Sequence, residues 1–150
     1  MRSWERTKSV ALASGKPVIG PYLGKIISAL SERLVPEGGE LPVSVDETGS
    51  YEFLARYLRD MDSGGRLGIK ILFVVFDLLP LLFIGRFSRF VNLSPGEQDL
   101  YLVDWQTSRI YYRRMVVVLL KTLTGMGFYN DPKVLEAIGF KIPCQERSGA

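Results

Sequence analysis

Asp77 is the residue whose surroundings most suggest chemistry. It lies inside Ile69–Ile84, the most apolar stretch of the chain. Apolar surroundings push a carboxyl towards its neutral form, which would suit Asp77 to work as an acid or base. The structural alternative is an aspartate on the polar edge of a helix, paired with an arginine or capping a kink at Pro80. A second set is Tyr111-Tyr112 followed by Arg113-Arg114. Ring faces can stack on a planar ligand and guanidinium groups can bind phosphate. In the plainer arrangement the tyrosines sit at core and rim while the arginines are solvated. Cys144 is the only cysteine, near the carboxyl end, and the chain has no histidine to activate it. Together the two counts exclude histidine-dependent triads, histidine ligation of zinc or haem, and any disulfide within the chain. Gly38-Gly39 follows no strand and forms no phosphate-binding fingerprint. Nothing brings nucleophile, base and oxyanion donors together, so no residue receives a catalytic, cofactor-binding or metal-binding role.

Helices must position these residues. From Ile19 the apolar positions Leu23, Ile26, Ile27, Leu30 and Leu34 recur at helical spacing, with Pro21 acceptable in the first turn and Pro36 as the stop. Pro36–Pro42 reads as a loop. Asp46 is the expected N-cap of a second helix carrying Tyr51, Leu54, Leu58 and Met61, with Gly64-Gly65 ending it. Ser94-Pro95-Gly96-Glu97 forms a capping box, opening a helix through Leu100, Val103 and Trp105 towards Arg109. A further helix spans about Ile110–Phe128, with Met115, Val116, Leu119, Leu120 and Leu123 expected to be buried. Asp131-Pro132 opens a short last helix that Gly139 closes. No segment alternates with period two. The fold class is therefore all-α, a bundle of about six helices over 19–143, with tails at 1–18 and 144–150.

The chain has 150 residues, long enough for one domain with a core of its own. Its 19 basic and 16 acidic residues give a net charge of +3, and the basic residues are scattered. Arg86 with Arg89, and Arg109 with Arg113 and Arg114, are the nearest approach to patches. No nucleic-acid module surrounds them, so nucleic acid is not an expected partner. The amino end shows no secretory h-region, which makes the cytoplasm the default location, with peripheral placement at an inner membrane or export beside a signal-bearing partner as variants. Ile69–Ile84 holds 13 apolar residues in 16. At ~1.5 Å per residue such a helix reaches about 24 Å, short of the ~30 Å hydrocarbon core, and Asp77 opposes insertion. A helix buried in the fold, or lying on lipid or a partner, is the expectation.

Two segments resemble a known family. The first is Ala29–Gly49, a helix running into Pro-Glu-Gly-Gly and Leu41-Pro42. The second is Phe87–Pro143, with Phe90-x-x-Leu93-Ser94, a capped helix ending in Trp105-x-x-Ser108, Arg113-Arg114, a helix containing Lys121, Phe128-Tyr129-Asn130-Asp131-Pro132, and Ile138-Gly139-Phe140. This order and spacing is similar to the gluconate 2-dehydrogenase subunit 3 family. It is also similar to the helical segment preceding the flavin domain of long-chain fatty alcohol oxidases. Gln98 stands where that pattern favours arginine, and Phe140 where it favours tyrosine. The resemblance implies a small accessory subunit with no cofactor of its own. Its partner would be a large FAD-dependent subunit of the glucose–methanol–choline oxidoreductase type, which this chain would stabilise, mature or place at a membrane. The residues expected at an interface with that partner or with lipid are Phe73, Phe76, Leu79, Phe83, Trp105, Arg113 and Tyr129. Ser108 and Asp131 join Trp105, Arg113 and Tyr129 as residues for structure and docking. Two other readings remain: a membrane-peripheral or membrane-hairpin protein with no enzyme partner, and a helical enzyme or lipid-binding module using a cavity around Asp77.

Overall fold

A computed structural model describes residues 11–12, 15–35, 42–80 and 88–140. They form an all-α bundle of six α-helices. Helix α1 (Pro21–Leu34) has proline in its first turn and buries Leu23, Ile26, Ile27 and Leu30, the stripe its spacing predicts. The core extends back beyond this helix, because Val18 and Ile19 are also buried.

Helix α2 (Ser50–Asp60) begins later than expected. Asp46 does not cap it; Asp46 belongs to a separate 3-10 turn, Val45–Glu47, in which Glu47 Oε2 accepts the Ser44 N–H at 3.3 Å. Gly64-Gly65 does not end α2 either. The chain breaks at Met61, and Asp62 caps a new helix, α3 (Ser63–Leu78), by accepting the Gly65 N–H at 2.9 Å. The glycines fall in its first turn because the cap folds over them. A Cβ at Gly65 would stand 2.9 Å from both Asp62 Oδ1 and Met61 Sδ.

Helix α4 (Pro95–Gln106) starts on the expected capping box, with the Ser94 N–H donating to Glu97 Oε2 at 3.0 Å. Helix α5 (Tyr111–Tyr129) is the longest, with 19 residues. Helix α6 (Pro132–Ala137) is capped by Asp131, which accepts the Lys133 N–H at 2.9 Å. Gly139 ends it at φ +72°, the left-handed conformation glycine adopts without a Cβ penalty.

Helix α1 packs along α3, α2 along α5, and α4 along α5. Four aromatic residues fill the middle of the bundle. Phe76 lies 5.0 Å from Phe90, 5.1 Å from Tyr101 and 5.1 Å from Trp105, centroid to centroid, all tilted or edge-on as ring quadrupoles prefer. Helices α2 and α5 approach closely at Gly127, where a Cβ would stand 2.6 Å from the Ser50 carbonyl oxygen. No helix among the described residues is long and apolar enough to cross a membrane.

Candidate functional site

Asp77 is fully buried and fully engaged. Tyr22, on α1, donates its hydroxyl to Asp77 Oδ2 at 2.7 Å, and the Val91 N–H donates to Oδ1 at 3.1 Å. The carboxylate thus ties α3 to α1 and to the 3-10 turn Phe90–Asn92. The arginine expected beside it bears on its partner instead: Arg89 lies 5.6 Å over the Tyr22 ring. Burial pushes the Tyr22 phenol above its ordinary pKa, and the hydrogen bond to Asp77 adds to that. This is a structural junction, since both carboxylate oxygens already accept from the fold.

The Tyr-Tyr-Arg-Arg quartet is arranged opposite to the plain expectation. Tyr111 and Tyr112 are exposed and meet edge-on at 5.9 Å, while both arginines are half-buried. Arg113 lies 4.9 Å over the Trp105 ring and donates to Asp104 Oδ2 at 2.6 Å and to Ser108 Oγ at 3.3 Å. Arg114 donates to the Ser108 carbonyl at 2.6 Å and lies 5.8 Å over Tyr111. Both guanidinium groups brace the turn between α4 and α5. They have work in the fold before any ligand arrives.

The interface residues expected from sequence separate into distinct environments. Phe73 and Phe76 are fully buried in the chain's own core, and Trp105 nearly so, which corrects their assignment to an interface. They face inward because the apolar stretch is apolar all round, and its inner side packs on α1 and the Phe90 turn. Leu79 is half-buried against that core. Arg113 is engaged as above, and Tyr129 is 55% exposed beside Phe128. Phe83, Arg86 and Cys144 lie outside the described residues. Met115 and Leu119, expected to be buried, are instead exposed on α5, where Val117, Leu120 and Leu123 face the core.

Two features escape sequence reasoning. One is an open cleft of about 430 Å³ between α2 and the junction of α5 with α6, lined by Glu52, Phe53, Arg56, Asn130 and Asp131. At its floor the Gly49 N–H donates to Asp131 Oδ2 at 2.8 Å across 82 residues of sequence, so Asp131 caps α6 and anchors α2 together. The other is the outward side of α3, where Leu67, Ile71, Val75 and Leu78 are 59%, 52%, 43% and 39% exposed in one stripe. The apolar run signalled surface to be covered, but not which residues would supply it.

No protein-family profile, curated protein or solved structure matches this chain.

Proposed function

We propose that this chain is a small accessory subunit, with no cofactor of its own, of an FAD-dependent oxidoreductase of the glucose–methanol–choline type. The observation that carries the reading is the outward side of α3. Four large apolar residues form one stripe there, with Gly64 a turn before it, Gly68 beside it and no charged side chain along its centre. An uncharged helix side of large and small residues suits close packing against another polypeptide. The order of motifs over Phe87–Pro143 supplies the class of partner. The named side chains within the bundle are engaged in packing and hydrogen bonding, which suits a stabilising or maturing role rather than turnover.

Co-expression with an FAD-dependent oxidoreductase of the glucose–methanol–choline type from the same genome tests the proposal. The flavoprotein should be purified with this chain bound, and should lose stability, FAD content or activity without it. Leu67→Asp with Ile71→Asp should abolish co-purification while leaving the small chain folded. A flavoprotein equally stable and active alone would overturn the reading.

A further inference from the structure

The outward side of α5 differs in character from that of α3. Tyr111, Met115, Val118, Leu119, Met126 and Tyr129 run along it, each at least 41% exposed. Tyr112, at 79%, is the most exposed large apolar side chain among the described residues. The charges carried by the helix itself are all of one sign. Between Asp104 and Asp131 the sequence contains Arg109, Arg113, Arg114 and Lys121 and no acidic residue. Arg113 is paired with Asp104 and Arg114 with the Ser108 carbonyl, which leaves Arg109 at the amino end of the helix and Lys121 on one flank. Arg114 adds its charge to the same flank, seven residues or two helical turns before Lys121.

We propose that this side of α5 lies on an anionic lipid surface, with the helix parallel to the membrane plane. Aliphatic and thioether side chains would enter the acyl boundary. Tyrosines at both ends would sit at headgroup depth, where a ring with a polar tip is favoured. Arg109 and Lys121 would extend to the phosphates, while Arg114 keeps its bond to the Ser108 carbonyl. Each basic residue near such a surface strengthens partitioning by about fivefold, so charge and apolar contact act together. The one-sided charge argues against a second copy of this chain as occupant. An antiparallel two-fold pairing along this stripe would set the Lys121 flank of one copy against the same flank of the other. The contact is peripheral, since no described helix is fit to span a bilayer. It is independent of the α3 side assigned to the flavoprotein.

Sedimentation of the full-length chain with vesicles of phosphatidylcholine, with and without phosphatidylglycerol, tests the proposal. The chain should sediment with the anionic vesicles, remain in solution with the neutral ones, and be released by salt. Lys121→Glu should weaken partitioning at least fivefold. Val118→Asp should abolish it while leaving the thermal unfolding midpoint near that of the wild type, because Val118 is exposed. Leu67→Asp should leave it unchanged. Failure to bind anionic vesicles, equal binding to neutral ones, or full binding by Val118→Asp would each overturn the proposal. So would a dimer in solution that Val118→Asp converts to monomer, or capture of an acidic protein that competes with vesicles for the face.

Discussion

At the scale of single residues, the decisive finding is what surrounds Asp77. A carboxylate placed in an apolar segment is costly unless its oxygens are satisfied, and here Tyr22 and Val91 satisfy them. Asp77→Ala should therefore cost about 3 kcal/mol in urea unfolding, because it leaves a hydroxyl and an amide without their acceptor. Tyr22→Phe should cost less, about 1–2 kcal/mol, since one carboxylate oxygen keeps its amide donor. Were Asp77 an acid–base group instead, Asp77→Asn would remove a ligand-dependent or catalytic signal at unchanged stability. Tyrosine also sets an alkaline limit. Tyr101 is buried, donates its hydroxyl to the Phe76 carbonyl at 3.0 Å, and has its pKa raised chiefly by that burial. The phenol in the unfolded chain ionises first, near its ordinary value of 10.0. Stability from this group is thus complete below about pH 10 and declines as pH rises through the folded-state value. Urea midpoints measured across this range should fall above pH 10 for the wild type. They should fall less steeply for Tyr101→Phe and, to a smaller degree, for Tyr22→Phe, whose phenol is shifted the same way.

Among the elements, caps and glycines explain where helices begin and how closely they approach. The Ser94 box was readable because its donors and acceptors lie within four consecutive residues, and Ser94→Ala should cost about 1 kcal/mol. Two adjacent glycines look like the stop of α2, yet α3 begins across them. In fact Asp62 folds back over them, a local hydrogen bond that overrides their low helix propensity. Two other glycines give opposite predictions. Gly127→Ala drives a Cβ into the Ser50 backbone and should destabilise by about 1–3 kcal/mol through separation of α2 and α5. Gly68→Ala meets nothing within 4 Å and should raise stability by up to about 1 kcal/mol, from helix propensity alone. Thermal denaturation of the two variants separates a packing glycine from a merely permissive one.

For the whole molecule, the bundle uses the inner sides of α3 and α5 for its own core and leaves two outer sides apolar. Phe76 is the hub of the aromatic centre, and Phe76→Ala should cost about 3–5 kcal/mol, enough to unfold a marginal domain. Substitutions on the outer sides should instead separate folding from association. Leu67→Asp and Val118→Asp are expected to keep the helical circular dichroism of the wild type. They should differ in what they abolish, flavoprotein capture for the first and vesicle binding for the second. Loss of both activities in either variant would mean that the two sides form one surface.

The sequence alone determined the all-α class, the Ser94 and Asp131 caps, the Gly139 stop, and the buried positions Leu23, Ile26, Ile27 and Leu30 of α1 and Tyr51, Leu54 and Leu58 of α2. Each depends on contacts within one or two helical turns or on a clean amphipathic period. It could not determine which way α3 and α5 face. Both are apolar nearly all round, so periodicity does not choose between Phe73 and Ile71, or between Leu120 and Leu119. Tertiary packing made that choice by burying the side that fits against α1, α2 and the Phe90 turn. The partners of Asp77 and the double role of Asp131 were equally out of reach, since they join residues 55 and 82 positions apart. Chain-distant hydrogen bonds leave no periodic trace in the sequence, and only the folded bundle brings their ends together.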